Sequence, residues 1–313
     1  MSLLQKAEER WNRAERFGAD VIHDAEIDWS KYELSEDDQA KVRPAESWAD
    51  DLIDAFSLPD SITGSCPPWD SIRDRLRFRP GELSLWTGIN GHMKSMALNQ
   101  VALCFAGQSE KSCIGSFEMH PLKTLKRMAR QYVRDDALSP SQVRDFLSGI
   151  KGQIWLYDQV GTVHTDRVLA LCRYAREEVG CQHVMIDSLM KCGMDADDYG
   201  AQKRFIDRLS TYAKDSGVHI HLVAHSKKVA DESCPGKMDV SGHADLTNMP
   251  DNVFVVWHNK KKLKAQAENN FQYDREPDAA FVCEKQRNGE WEGTVGLYFD
   301  KRSLLFSDRE TTA

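Results

Sequence analysis

The sequence lacks the features of membrane, fibrous and disordered proteins. No apolar run approaches the roughly 20 residues that a membrane-spanning helix needs, and residues 1–25 are charged rather than built like a cleavable signal. Low-complexity tracts and an excess of glycine or proline are also missing. These absences lead us to expect a globular protein of the cytoplasm.

Cysteine pairs at disulfide or metal-binding spacing are missing as well. The eight cysteines are scattered, with no C-x-x-C pair and no His/Cys cluster at zinc spacing. We therefore expect reduced thiols that are mostly buried. His219 and His221 alternate along a predicted strand, and we interpret them as structural rather than as metal ligands.

Positive charge is in short supply overall. The chain has 41 Lys and Arg against 49 Asp and Glu, a net charge of −8, which argues mildly against generic binding to polyanions. The acidic residues are concentrated early, however, and the basic residues cluster later in the chain. Because nucleic acid responds to local fields, the total charge excludes no nucleic-acid partner.

A boundary is predicted near residue 60. With 313 residues, the chain is long enough for about two domains, or for one core with an appendage. Residues 3–17 have the spacing of an amphipathic helix, and residues 45–56 have helical spacing within an acidic stretch, residues 20–60, that is poor in apolar residues. We expect residues 1–60 to form a helical arm that docks on the core or on a neighbouring subunit, and residues 61–313 to form the folded domain.

Strand and helix patterns alternate after residue 61. Predicted strands cover 83–88, 112–117, 153–158, 183–187, 218–224, 253–257, 279–284 and 295–299. Predicted helices between the first five strands cover 94–107, 121–133, 140–149, 165–179 and 200–215. This alternation predicts an α/β fold in which helices flank a mostly parallel, twisted sheet. The last strands have no predicted helices between them, so we expect an antiparallel C-terminal extension with an Asn-Gly turn at 287–290.

The segment "GINGHMKS", residues 88–95, has the frame of a phosphate-binding loop between a strand and a helix. In such loops backbone N–H groups cradle phosphates, the lysine contacts them, and the hydroxyl binds Mg²⁺. Met93 stands where the motif has glycine, and we expect its thioether to point away from the phosphates without preventing binding. An ordinary strand-turn-helix corner is the alternative. The predicted nucleotide-binding residues are Gly88, Asn90, Gly91, His92, Met93, Lys94, Ser95 and Met96.

Three more polar residues follow predicted strands. Glu118 follows the second strand, Asp187 ends the fourth, and His225 follows the fifth. They should share a rim with Lys94, because ligands of parallel sheets bind outside the carboxyl ends of the strands. Asp187 is placed to hold Mg²⁺ with Ser95, Glu118 to orient or deprotonate water, and His225 to sense the terminal phosphate. Each of them alone is also consistent with a strand-end residue that bonds nearby backbone.

Five segments resemble the helicase motifs of the DnaB-like family with its RecA-type core. The resemblance spans about residues 60–307 and is closest to phage replicative helicases, including the helicase half of primase–helicases, and to mitochondrial Twinkle. The segments, in chain order, are "GELSLWTGINGHMKS", "SFEMHPLKTLKRMARQ", "HVMIDSL", "LVAHSKK" and "EKQRNGEWEGTVGLYFD".

The resemblance implies a RecA-like P-loop NTPase fold and a ring-forming, hexameric, ATP-dependent DNA helicase that moves 5′ to 3′ on single-stranded DNA at the replication fork. It assigns the catalytic glutamate to Glu118, the Walker B carboxylate to Asp187 and the sensor to His225. Lys285 and Arg287 would be basic fingers that complete the neighbour's site. The implied cofactors are ATP, dATP or dTTP with Mg²⁺. The implied partners include primase, a polymerase or a single-strand-binding protein, in the host cytoplasm if a phage encodes the chain.

The DNA-binding loops implied by the resemblance follow the strands that end at Asp187 and His225. Lys227, Lys228 and Lys237 are the predicted contacts to the DNA backbone, which carry no sequence information. A solvated loop is the alternative. Two other functions stay open: another RecA-like ATPase, of recombinase or clock type, and a nucleotide-dependent assembly or loader module whose hydrolysis Met93 impairs.

Overall fold

The computed structural model describes residues 20–24, 27–33, 45, 49–50, 53, 56, 63–195, 197–226, 234 and 245–310. The strands are β1 (Asp20–Ile22), β2 (Leu83–Thr87), β3 (Ser112–Ser116), β4 (Ile154–Tyr157), β5 (His183–Asp187), β6 (His219–Val223), β7 (Asn252–His258), β8 (Ala279–Gln286), β9 (Gly293–Asp300) and β10 (Leu305–Ser307). The helices are α1 (Ser30–Glu33), α2 (Lys94–Gly107), α3 (Pro121–Val133), α4 (Pro140–Ile150), α5 (Thr165–Glu177), α6 (Tyr199–Ser216), α7 (Asp245–Asn248) and α8 (Lys260–Ala267). Short 3₁₀ turns cover Asp70–Ile72 and Leu189–Lys191.

The ten described strands form one sheet in the order β1-β4-β3-β5-β6-β2-β7-β8-β9-β10. All neighbours from β1 to β7 are parallel, and β8, β9 and β10 are added antiparallel. The predicted α/β architecture with an antiparallel C-terminal extension is therefore confirmed.

Two details of the predicted C-terminal region are wrong. β7 is parallel to β2 and thus belongs to the parallel part of the sheet. Helix α8 separates β7 from β8, where the sequence predicts no helix. A helix of eight residues whose N-cap is Asn259 shows too little apolar periodicity for sequence reasoning to detect.

The central parallel strands are buried throughout because helices cover both faces of the sheet. Every residue of β2, β3, β5 and β6 is buried. One core lies under α2, α3 and α4, and a second core on the other face lies under α5 and α6. Polar side chains that could bind a ligand are therefore left to the loops at the two ends of the parallel strands. We call these ends the carboxyl edge and the amino edge of the sheet.

Part of the predicted N-terminal arm lies on the core. β1 extends the sheet beside β4, and Trp29 is buried with its ring against Tyr157 and Tyr174. The predicted helices at 3–17 and 45–56 fall wholly or largely outside the described residues, and the boundary near residue 60 stays a prediction.

Most of the cysteines are buried in the fold. All eight cysteines are in the reduced form, and five of them are buried, as predicted. Among the described helices, none combines the length and the apolar character of a membrane span.

Three buried histidines form a connected cluster on β5 and β6. His221 Nε2 lies 3.2 Å from His183 Nδ1, and the ring of His219 lies 4.4 Å from that of His221. Burial lowers the pKa of all three, to about 4 for His219. The cluster is therefore neutral and is held by hydrogen bonds to its surroundings. The partners outside the cluster are Ser65 for His183, Trp86 for His221, and Ser84 and the carbonyl of Arg79 for His219.

Candidate functional site

The loop between β2 and α2 is pressed against the end of β7. Gly88 has φ 146°, and a Cβ there would collide with the carbonyl oxygen of Val256. Only glycine fits so close to a neighbouring backbone. His92 is buried, and its Nδ1 accepts a hydrogen bond from His258 N at 3.1 Å. The loop is thus fixed in place by β7, the strand beside it.

Met93 has the left-handed backbone conformation that the motif's glycine would adopt. Its φ and ψ are 62° and 25°, and it directly precedes α2. A left-handed residue other than glycine carries a conformational cost of about 1–2 kcal/mol. The half-buried side chain packs against the core, and the residue also lines the pocket described below, so the expectation that the thioether points away from the phosphates stays a prediction.

Lys94 is buried at the start of α2 and bonded to its own loop. Its Nζ donates to the carbonyls of Gly88 at 2.8 Å and Ile89 at 3.3 Å, and lies 3.1 Å from His225 Nδ1. Burial lowers the pKa of Lys94 to about 8, although Asp187 and Glu118 oppose this shift. The ammonium is therefore a buried cation whose partners are mainly neutral oxygen and nitrogen atoms.

Asp187 and Ser95 meet beside this lysine. Asp187 is 5% exposed at the end of β5, and the Ser95 side chain forms a hydrogen bond with its carboxylate. Burial raises the pKa of Asp187, while the bond from Ser95 lowers it. A carboxylate and a hydroxyl are hard oxygen donors of the kind that Mg²⁺ prefers, so the two residues fit a Mg²⁺ site.

Glu118 stands across the pocket with two donors. Ser188 Oγ donates to its Oε1 at 2.6 Å, and His225 Nε2 lies 3.5 Å from the same oxygen. The bond from His225, together with that from Ser188, lowers the pKa of Glu118 to about 2 despite partial burial. Glu118 is therefore ionised at neutral pH with its carboxylate orientation fixed.

These side chains line one cavity of about 330 Å³ at the carboxyl edge of the sheet. Among the predicted nucleotide-binding residues, Gly88 and His92 support the loop rather than lining this cavity. Met119 and Arg127 also line it, although the sequence does not predict them. Arg127 lies nine residues beyond Glu118 in a basic helix, where sequence alone gives no reason to prefer it to its neighbours. The lining residues are Asn90, Gly91, Met93, Lys94, Ser95, Met96, Glu118, Met119, Arg127, Asp187 and His225.

Lys285 and Arg287 lie at the opposite edge. The end of β8 pairs with Asn252, the first residue of β7, and β7 runs parallel to β2. The five residues of β2 span roughly 16 Å between that edge and the loop. Lys285 Nζ donates to the carbonyls of Asn248 and Pro250, each at 2.7 Å. The two basic residues therefore do not join the pocket of their own chain.

The predicted DNA contacts Lys227, Lys228 and Lys237 lie outside the described residues. They stay predictions.

Residues 58–231, more than half of the chain, match the family described as AAA domain. The chain belongs to this AAA domain family. The matched region contains the loop, Glu118, Asp187 and His225. Membership of this family implies that the domain binds a nucleotide.

The AAA domain chain is 24% identical over 256 residues to a DNA helicase/primase of Enterobacteria phage T3. The alignment covers 71% of this chain but 45% of the phage protein, so the chain spans less than half the length of that relative.

Two solved structures share the fold of the AAA domain chain. One, described as an ATPase domain, has a TM-score of 0.69 at 16% identity, over 87% of this chain and 100% of that chain. A DnaB-like replicative helicase, studied with its interactions with primase, has a TM-score of 0.70 at 16% identity, over 85% and 68% respectively. The RecA-like fold is thereby confirmed, as is the resemblance to DnaB-like helicases indicated by the five motifs.

Proposed function

We propose that the chain is the motor of an ATP-dependent replicative DNA helicase that assembles as a ring, with nucleotide sites completed between subunits. One observation carries this proposal: the pocket groups converge at the carboxyl edge, whereas Lys285 and Arg287 are presented at the amino edge. Basic residues so far from the pocket of their own chain can contact a nucleotide phosphate only if a second copy of the chain places its own bound nucleotide beside them. The relatives named as a helicase/primase and a DnaB-like helicase support the same assignment.

Nucleotide binding is assigned to the loop and to the start of α2. Lys94 would exchange the carbonyls of Gly88 and Ile89 for phosphate oxygens, since an ammonium binds an anion more strongly than a neutral carbonyl. Ser95 and Asp187 would hold Mg²⁺, which when bound neutralises charge that develops on the phosphates. The side chain of Arg127 adds a further cation to the same cavity.

Hydrolysis is assigned to Glu118. Its carboxylate is ionised and oriented by Ser188, so it can align a water molecule and accept its proton. His225 lies between Glu118 and Lys94, and we assign it the role of sensor because it contacts both the phosphate-binding and the water-activating groups. Its two ring nitrogens are therefore both engaged before nucleotide arrives.

Assembly is assigned to the fingers and the N-terminal arm. An arginine supplied in trans contributes roughly 10³ to 10⁵ in rate to phosphoryl transfer, so a lone subunit should hydrolyse poorly. Arg287 is 42% exposed on its side chain and is thus accessible to a neighbour. We propose a hexamer in which residues 3–17 or 45–56 dock on the adjacent subunit. Residues 1–60 would then be an arm attached to the motor at 61–313.

The substrates follow from this assignment. We propose that the chain hydrolyses ATP, dATP or dTTP with Mg²⁺ and translocates along single-stranded DNA, which it contacts through Lys227, Lys228 and Lys237. Movement from 5′ to 3′, cytoplasmic action and contacts with primase, a polymerase or a single-strand-binding protein complete the proposal.

A turnover experiment tests the proposal against its alternatives. Mg-nucleotide hydrolysis is measured with and without single-stranded DNA, together with ring formation by native mass and unwinding of a forked duplex. We expect DNA-stimulated turnover, rings and unwinding, and a loss of about 10³-fold in turnover for Arg287→Ala. Turnover without unwinding would favour a recombinase-type ATPase, and binding without turnover would favour a loader module. Monomers whose turnover is unchanged by Arg287→Ala would refute shared sites.

A further inference from the structure

The finger hairpin, defined as residues 285–290 at the end of β8 and the turn after it, is tied to the sheet by a buried acid. Glu82 directly precedes β2 and is 2% exposed. Its Oε1 accepts a hydrogen bond from Asn288 Nδ2 at 2.9 Å, and its Oε2 accepts one from Asn252 Nδ2 at 2.8 Å. One carboxylate thus joins the exposed turn to the first residue of β7.

A second buried acid holds the finger itself. Asp251 is 2% exposed, and its Oδ1 lies 3.0 Å from the Arg287 guanidinium. Its Oδ2 accepts a hydrogen bond from Leu83 N at 3.0 Å, and its carbonyl accepts one from Arg287 N at 2.9 Å. Arg287 is therefore fixed through both its backbone and its side chain to the start of β2, next to Glu82.

The turn between these anchors is closely packed. A Cβ on Gly289 would collide with the side chain of Gln286, which itself donates to the carbonyls of Arg75 and Trp291. Asn288, by contrast, is exposed, and its bond to Glu82 is the side-chain contact that brings the outer part of the turn onto the sheet. Gln286 thus supports the turn through contacts inside the hairpin, and Glu82 binds the turn through Asn288.

Burial of a carboxylate is strongly unfavourable unless donors compensate it. Burial raises the pKa of Glu82, while the bonds from Asn252 and Asn288 and the charge of Arg79 oppose the shift. The buried carboxylate is therefore compensated by Asn252, Asn288 and Arg79, and Asn288 is the one among them that belongs to the turn.

We propose that Glu82, acting through Asn288, is a positioning residue that fixes where Arg287 stands when a second copy of the chain presents its nucleotide. This inference rests on the proposed function, in which Arg287 acts in trans. A displacement of about 1 Å in a group that stabilises a transition state costs on the order of 10²-fold in rate, which gives such positioning a measurable effect.

Two single variants and their combination test the inference in the full chain. Asn288→Ala removes the donor from an exposed residue, and Glu82→Gln leaves one acceptor for two amides. We expect each to lower kcat about 10- to 100-fold with unchanged Mg-nucleotide affinity, because the chain's own pocket is untouched. Combining Glu82→Gln with Asn288→Asp lets the glutamine accept from Asn252 and donate to the new carboxylate, and it should restore kcat. The matched control is Glu290→Ala, an exposed change in the same hairpin with expected parental turnover.

A mixing experiment separates positioning from folding. Glu118→Gln chains are expected to be inactive at their own sites but to carry an intact finger, whereas Asn288→Ala chains have an intact pocket. The turnover of mixed assemblies should therefore exceed the sum of the turnovers that the two variants show when each is measured alone. Parental kcat for Asn288→Ala, or failure of both the mixture and the double variant to recover turnover, would overturn the inference. If Arg287→Ala itself has parental turnover, the proposed trans mechanism fails first and the inference fails with it.

Discussion

The ammonium of Lys94 lies 3.1 Å from Nδ1 of His225. Since a lysine can only donate, Nδ1 is the acceptor, and Nε2 carries the proton that faces Glu118 Oε1 at 3.5 Å. The lysine proposed to bind phosphate and the carboxylate proposed to activate water are thus joined through one imidazole. Each residue comes from a different strand end, so the sheet rather than local sequence sets this contact.

Replacing His225 by alanine should uncouple these two groups. We expect kcat to fall about 10²-fold, in the range of general acid–base effects, while Mg-nucleotide affinity changes less than about tenfold. His225→Gln is the matched control, because its amide can accept from Lys94 and donate to Glu118, and it should retain more turnover. Steady-state kinetics and nucleotide titrations measure both quantities. Equal turnover in the alanine and glutamine variants would exclude this coupling.

Nucleotide affinity should fall as the pH rises above about 8. The pKa of Lys94 without nucleotide is about 8, and phosphate oxygens favour its charged form, so binding takes up a proton above that pH. The affinity for nucleotide is then at its full value below pH 8. Above that pH it falls, with a slope that approaches about tenfold per pH unit. Titrations between about pH 7 and 9.5 measure this slope. Lys94→Arg stays charged throughout and should give a flatter profile, even if its affinity is lower; parallel profiles would contradict the assignment.

The variants Met93→Gly and Met93→Ala distinguish the cost of the left-handed backbone at residue 93 from the contribution of its side-chain packing. Both lose the packing of the thioether on the core, but only glycine is relieved of the left-handed conformation. Denaturant unfolding should therefore find the glycine variant more stable than the alanine variant by about 1 kcal/mol. We expect Mg-nucleotide affinity within about tenfold of the parent in both. A gain above about tenfold, or roughly 1.4 kcal/mol, in either variant would mean that methionine obstructs the site.

Acid should destabilise the fold through the buried histidines. The pKa values of His183, His219 and His221 are lowered in the folded state, so the unfolded chain binds more protons below about pH 6.5. The contribution of these neutral histidines to the stability of the fold is fully present above that pH. It is lost as the pH falls towards their pKa values in the folded state. Between pH 7.5 and 5.5, the free energy of unfolding should drop by up to about 4 kcal/mol from this cluster. His219→Gln should reduce the slope, and an unchanged slope would exclude this origin.

Much of the carboxyl-edge site could be predicted from sequence. The loop "GINGHMKS" joins a strand to a helix, and Glu118, Asp187 and His225 each follow an apolar run, so the rules of parallel sheets alone place them at one rim. The alternation of patterns is strong because both faces of the sheet are covered. Element bounds consequently agree to within a few residues, as for the helix predicted at 94–107 and observed at Lys94–Gly107.

Other features required the tertiary structure. β1 is three residues long and α8 is a lysine-rich helix, so neither has enough periodicity to be recognised. The packing of Met93 depends on the core beside it, and Arg127 reaches the pocket only because α3 packs on α2.

The sequence by itself determined the fold class and the edge at which the proposed nucleotide-binding groups gather, because hydrophobic periodicity and strand ends are local properties. Only the tertiary structure decided that Lys94, His225 and Glu118 form a connected set, and that Glu82 meets Asn288 across 206 positions of the chain. Such contacts depend on the order and register of strands in the sheet. That order is set by packing both faces of the sheet at once, and no short stretch of sequence encodes it.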